Sequence, residues 1–335
     1  MDSSINIKLI SRHDQIEAGC FDFDSIISTI EEVFKQNQNG LVELPDKISQ
    51  IFDNKTQARI NCMPATLFAE KTCGMKWVSV FPDNPHQYGL PNVSGLIILS
   101  EIEKGLPFAV MDGTLITALR TACMGAIGAK YLAREDSKVY GTIGAGEQAR
   151  MHFRLIKYML PGIKTCYIAS RTKQSETSFA NDMSEMYPDV DFIPCNSDYE
   201  MASKEADVIV TAISCQAPLL KASAIKQGAF YCHVGGWEDE YAVPLMADKI
   251  VCDDWDALKH RGSPTIAKLF EQGKLQDGDI YGNIGELITG RKPGRENKHE
   301  FIYFNSIGLG FVDVAVALSF YKKCIEKNLG QDWIL

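Results

Sequence analysis

A chain of 335 residues with 45% apolar content has material for about two domains, each with a core of its own. A net charge of −9 without any basic stripe argues against nucleic acid as a partner, and no apolar run approaches the ~20 residues of a bilayer span. The ten cysteines show no C-x-x-C pair and the six histidines no H-x-x-x-H pair, so metal lies outside the expected chemistry. Lys8, Arg12, His13, Asp14 and Glu17 stand where a signal core would be apolar, and a reduced, cytoplasmic protein is the expectation.

In chain order, residues 22–37 place Ile26, Ile27, Ile30, Val33 and Phe34 on one helical face, with Asp24 or Ser25 able to cap the start. Segments 41–52 and 58–63 read as strands. Two more strands, 74–81 and 93–99, flank the loop PDNPHQYGLPN, whose turn formers make it a plausible site mouth. A strand at 107–111 ends near Gly113, and 114–133 is a helix dense in small residues, suited to close packing. Read alone, Lys76 is a surface lysine and Arg120 a helix-face salt bridge.

A different pattern begins at residue 138. The strand 138–143 runs into Gly144-Ala145-Gly146-Glu147-Gln148-Ala149 and a helix near 147–160, matching the dinucleotide pattern G-x-G-x-x-G/A. Gly144 permits the tight turn, Gly146 lacks the Cβ that would block a pyrophosphate, and Ala149 lets the helix pack on the sheet. The helix start offers N–H groups and partial positive charge to phosphates. Strands at 164–169, 190–194, 207–213, 229–234 and 249–252 follow, with a helix at 174–186. This alternation gives an α/β chain with a Rossmann-type parallel sheet beside an α+β domain. Residues 253–300 read as helical and loop-rich, before a strand at 301–305 and a last helix at 312–327 that can pack on the N-terminal domain.

The tip of the second Rossmann strand reads Ala169-Ser170-Arg171-Thr172-Lys173, with no acid where an NAD site usually carries one. Arg171 can fork onto a 2′-phosphate while Ser170 and Thr172 donate hydrogen bonds, and Lys173 adds charge. NADP(H) is favoured, with NAD(H) as the alternative.

Three stretches carry a family resemblance: Gly74-Met75-Lys76-Trp77 with the following loop, Met111-Asp112-Gly113-Thr114-Leu115-Ile116-Thr117-Ala118-Leu119-Arg120-Thr121-Ala122, and the glycine loop. Gly285-Glu286-Leu287, Pro293-Gly294-Arg295-Glu296 and Ser306-Ile307-Gly308-Leu309 agree with them. The chain resembles the ornithine cyclodeaminase/μ-crystallin family over nearly its whole length. The resemblance implies a homodimer, a substrate and dimerisation domain of 1–121 plus 312–335, and a dinucleotide domain of 122–311. It also implies hydride chemistry at an α-carbon bearing nitrogen and carboxylate, on a small imino or amino acid. Lys76 and Arg120 match the family's substrate-carboxylate positions, and Lys47 stands nearest to a third cation that is usually arginine. Lys76, hemmed in by Met75 and Trp77, is also a candidate for proton transfer. The acid/base carboxylate falls on Glu238 or Asp239, the alternative being a solvated acidic turn. Thr121, Thr211, Ala212, Gly235 and Ser306 complete the cofactor candidates.

Asn61 stands where the family's cyclodeaminases carry an acid, which counts against ornithine cyclisation. An imino-acid reductase or amino-acid dehydrogenase leads. Ornithine cyclodeaminase and a diaminopropionate-pathway dehydrogenase are the other enzymes weighed. A non-catalytic binder that keeps the NADPH fold is the reading of another class.

Overall fold

The computed structural model describes residues 4–53, 55–214 and 216–335. Along the chain come β1 (Asn6–Ile10), α1 (Arg12–Glu17), α2 (Phe23–Gln38), β2 (Val42–Glu43), β3 (Ile48–Asp53), β4 (Ala58–Leu67), β5 (Thr72–Val80), α3 (Asn84–Gln87), β6 (Val93–Glu101), β7 (Pro107–Asp112) and α4 (Thr114–Leu132). Next are β8 (Val139–Ile143), α5 (Glu147–Met159), β9 (Thr165–Ala169), α6 (Lys173–Met186), β10 (Asp191–Pro194), α7 (Tyr199–Lys204), β11 (Val208–Thr211) and β12 (Phe230–His233). Then follow α8 (Ala242–Leu245), β13 (Lys249–Cys252), α9 (Trp255–Leu258), α10 (Thr265–Glu271), β14 (Gly282–Asn283), α11 (Ile284–Ile288), β15 (Ile302–Asn305), α12 (Gly310–Glu326) and β16 (Gln331–Ile334). The chain forms two compact units, one of residues up to Arg120 with Gly308–Leu335, the other Thr121–Ile307. The division falls within α4.

In the first unit the strands lie in the order β16-β1-β7-β6-β5-β4-β2, with β3 also paired to β4. All neighbours are antiparallel except β1 and β7. The two-residue alternation of a strand puts Met63, Ala65, Leu67, Val78, Ile97, Leu99, Ala109 and Met111 in the core. There they meet α12, which also packs on α2. The apolar ridge of α2 is buried as its periodicity predicts, and Phe34 meets Phe311 edge-on at 5.1 Å. On the other sheet face Trp77 and Leu96 remain exposed.

Three strand expectations change. Segment 41–52 is two strands, β2 and β3, because the Leu44–Lys47 stretch contains Pro45, which cannot donate to a ladder. β4 continues through Pro64 to Leu67, with Pro64 paired opposite Met75, so the proline interrupts a rung without ending the strand. β1 and β16 were not anticipated. Each is short, and β16 is a wholly exposed edge strand tied to β1 by Lys8–Asp332.

The second unit is an eight-stranded, fully parallel sheet in the order β10-β9-β8-β11-β12-β15-β13-β14. β11, β12, β13 and β15 are buried at every residue, as expected for parallel strands covered on both faces. The chain enters at β8, steps outward through β9 and β10, then returns to β11 on the other side of β8. That reversal is the topological switch point where open α/β sheets bind ligands. The small residues of α4 have a packing reason: a Cβ on Gly125 would lie 2.6 Å from the His152 ring, and one on Gly128 2.7 Å from Phe304. No helix among the described residues is long and apolar enough to cross a membrane.

Candidate active site

Lys76 sits on the inward face of β5, opposite Met63 of β4 and Ile97 of β6, and its neighbour Trp77 takes the outward face. It is fully buried, not the surface lysine its local sequence suggests. A buried ammonium needs a partner, because stripping its hydration is worth several kcal/mol. Asp313, in the first turn of α12, supplies it. One oxygen, Oδ1, accepts from Lys76 Nζ at 2.7 Å and from Arg120 Nε at 2.8 Å. Arg120 comes from α4, so three separate elements meet on a single carboxylate oxygen. The other oxygen, Oδ2, is buried with no hydrogen-bond partner among the described residues.

Two cations against one anion leave this buried cluster with one net positive charge. Burial lowers Lys76 to about 8, Arg120 pushes the same way, and Asp313 opposes both. Gly308 has φ +80°, and a Cβ there would lie 2.8 Å from Arg120 Cζ and nearer still to Nη1. Only glycine leaves the guanidinium its place. Asn61 is buried on the Lys76 face of the sheet and accepts from Ser49 Oγ at 2.9 Å. Lys47 lies half-buried between β2 and β3.

In the second unit, Gly144 takes φ +119°, and a Cβ there would approach Ala212 O to 2.5 Å. Its N–H donates to Ala169 O at 2.8 Å, tying the ends of β8 and β9. Gly146 caps α5, and a Cβ on it would meet nothing within 4 Å. Open space over the start of a 13-residue helix is the opening a diphosphate requires. Ala145 and Ala149 are buried, Glu147 is exposed and Gln148 half-buried.

At the β9 tip Ser170 is buried, and its hydroxyl donates to Thr172 O at 2.9 Å. Thr172 caps α6 by accepting from Ser175 N. Both hydroxyls thus serve the turn, and Arg171 and Lys173 are the exposed cations. The tip does have an acid, Glu176, one turn into α6. It is fully buried and accepts from the N–H groups of Ser170, Asn196 and Ser197 at 2.7–2.8 Å. Three backbone donors occupy it, so it holds the turn rather than presenting charge.

Glu238 and Asp239 are also fully buried, which overturns the solvated-turn alternative. Glu238 Oε2 accepts from Thr211 Oγ1 at 2.6 Å and Gly235 N at 3.0 Å, and Oε1 from Ile213 N at 2.8 Å. It therefore fastens the ends of β11 and β12 together. Thr211, expected at the cofactor, commits its hydroxyl to this carboxylate. Asp239 accepts from Thr265 Oγ1 at 2.6 Å, and burial raises it to about 6. His233 Nε2 lies 3.5 Å from Glu238 and 3.4 Å from Asp239. Ser306 Oγ donates to Asp253 Oδ2 at 3.1 Å, and Thr121 is half-buried on α4. Cys215 lies outside the described residues; the other nine cysteines are in no disulfide among the described residues.

Sequence reasoning missed Asp313 and Glu176. The signal for Asp313 was available: a lone acid inside the apolar run Gly310–Leu318 must be either exposed or paired.

Comparison with known proteins now bears on this geometry. The profile of the ornithine cyclodeaminase/mu-crystallin family matches residues 8–328. The chain belongs to that family. Among solved structures, a Thermococcus litoralis Δ1-pyrroline-2-carboxylate reductase in complex with NADH and L-proline is similar at a TM-score of 0.91 and 28% identity, over 97% of this chain and 99% of that one. An archaeal alanine dehydrogenase, a dimer with bound NAD, is similar at 0.88 and 31% identity, over 98% and 99%. An N-((2S)-2-amino-2-carboxyethyl)-L-glutamate dehydrogenase of Staphylococcus aureus is 29% identical over 81% of each chain.

Proposed function

We propose that this family member is a nicotinamide-dependent oxidoreductase acting at the α-carbon of a small α-imino or α-amino acid. The buried Lys76–Asp313–Arg120 cluster carries this reading, because its single excess positive charge matches a substrate carboxylate. Arg120 supplies the planar fork and Lys76 a point charge. The similarity to a reductase bound to NADH and L-proline supports the substrate class. A dinucleotide fits the residues present: the open Gly146 and the start of α5 receive its phosphates, and Gly144 holds the turn below them. A bound nicotinamide would supply the hydride chemistry at the substrate carbon. The protein's own part is to fix the carboxylate, shield the site from water and manage a proton, for which Lys76 at about 8 is suited near neutral pH.

Protonated Lys76 binds the carboxylate, so in the free enzyme KM should be flat below pH 8 and rise above it. A pH series of initial rates checks this. Gly308→Ala places a methyl against the Arg120 guanidinium and should raise KM about 10- to 100-fold, the worth of one or two charge-assisted hydrogen bonds. Dinucleotide affinity should stay within about twofold.

For the cofactor we infer a preference for NADP(H), with NAD(H) also accepted. Exposed Arg171 and Lys173 flank the β9 tip, and the acid there is buried and saturated, so no free carboxylate repels a 2′-phosphate. The two similar solved structures hold NADH and NAD, which makes the test informative. Calorimetric titration should give at least fivefold tighter binding of NADPH than NADH, about 1 kcal/mol. The reverse order removes Arg171 from the role of phosphate clamp.

The resemblance to the staphylococcal adduct dehydrogenase supports a second substrate reading, oxidation of a larger amino-acid adduct. Asn61, a neutral amide on the Lys76 face, disfavours ornithine cyclisation. Dimerisation through the first unit is proposed from the exposed Trp77 and Leu96 face and from the dimeric alanine dehydrogenase.

A further inference from the structure

Lys76 and Arg120 come from different elements, and their charges repel. Left alone in the core, the pair would separate or Lys76 would lose its proton. What stands between them is Asp313, whose Oδ1 takes both hydrogen bonds while Oδ2 stays buried with no hydrogen-bond partner among the described residues. A carboxylate that served only to neutralise one buried cation could use both oxygens on it. Here one oxygen is shared, which fixes the two donors side by side on the same point. The groups facing Lys76 from β4 and β6, Met63 and Ile97, carry no charge, and Asn61 on the same face is a neutral amide. Among the charges acting on Lys76, Arg120 from α4 lowers it and Asp313 from α12 raises it.

We propose that Asp313 is a positioning residue for substrate binding: its charge keeps Lys76 protonated beside Arg120, so that the two meet a substrate carboxylate as a double cation. This rests on the reading of Lys76 and Arg120 as carboxylate ligands and deepens it. Asp313 touches neither substrate nor cofactor in this account; it acts through the two cations it holds.

The test removes the charge and keeps the shape, with Asp313→Asn in the full-length protein. Lysine labelled with 13C at the ε-carbon reports the Lys76 titration by NMR, the resonance being assigned with Lys76→Met. The expected result is a midpoint lower by about one pH unit or more, since a favourable buried charge is lost. The pH at which KM begins to rise should move down with it, while kcat measured below that pH changes less than KM. An unmoved midpoint in the folded variant overturns the proposal, and so does a moved midpoint without a moved KM profile. If Asp313→Asn does not fold, Asp313→Glu decides. It keeps the charge on a longer arm, so the midpoint should stay within about half a unit while KM rises roughly tenfold; wild-type KM overturns the proposal. Failure of the functional reading looks different. In that case the wild-type protein neither binds nor turns over small amino or imino acids, yet the Lys76 midpoint still shows whether Asp313 sets its charge.

Discussion

Arg120→Ala should lower kcat/KM by about 10²- to 10³-fold, roughly 3–4 kcal/mol, while dinucleotide affinity stays within about twofold. Two losses add here. The fork proposed to receive the carboxylate disappears, and Lys76 is left alone with Asp313 in a pair with no excess charge. The protein should nevertheless stay folded, because Asp313 keeps its 2.7 Å partner in Lys76 and is not stranded. Arg120→Lys keeps the charge without the fork and should lose only about tenfold. Steady-state kinetics with a melting curve checks both. If Arg120→Ala keeps kcat/KM within about threefold of wild type, the cluster is a core salt bridge and no substrate site.

The second large effect is expected at Glu238, and it falls on stability. Glu238→Ala leaves the part-buried Ile213 N and Gly235 N without their acceptor, at about 1–3 kcal/mol each, and leaves Thr211 Oγ1 with Tyr231 OH as its partner. The melting temperature of the dinucleotide-type unit should fall by roughly 10 °C, and cofactor affinity should weaken because those donors sit at the ends of β11 and β12. Glu238→Gln separates this from the acid/base role expected from sequence. A catalytic acid or base would lose about 10²- to 10⁴-fold in kcat with little change in melting. A fastening group should show the reverse: a lower melting temperature and less than tenfold in kcat.

What could be read from the sequence, and what could not, divides along physical lines. The Gly144–Ala149 loop was legible because its constraints are local: one residue at φ +119° where a Cβ would meet Ala212 O, and a helix start left open at Gly146. The α2 ridge was legible because its partners recur every three to four residues. Arg120 as a salt-bridged helix residue was half right, since it is paired but buried. Lys76 was misread alone because nothing within ten residues neutralises it. Asp313 was passed over because it looked like one acid in an apolar helix. Glu176 was not legible at the cofactor tip because it lies one helical turn into α6, beyond the strand end where such an acid usually stands. Glu238 was legible as a conspicuous carboxylate, yet two of its three hydrogen-bond donors, Thr211 and Ile213, come from the end of β11, which only the sheet order brings beside it.

The first unit draws its last helix from far along the chain, and Asp313 follows Lys76 by 237 residues. During synthesis at roughly 5–20 residues per second, that separation is on the order of tens of seconds. Through this interval the emerging β4–β6 sheet has a lysine on its apolar face and no counterion, so it cannot close over that face without α12. The parallel sheet receives its interior strand β15 only just before α12 is made, so the two units are completed close together. The ion cluster proposed to receive a substrate thus has a consequence for the order of assembly as well: the sheet face carrying Lys76 gains its counterion only when α12 is made. A released chain truncated just before α12 should be cut by protease within β4–β6 while its β8–β15 region resists.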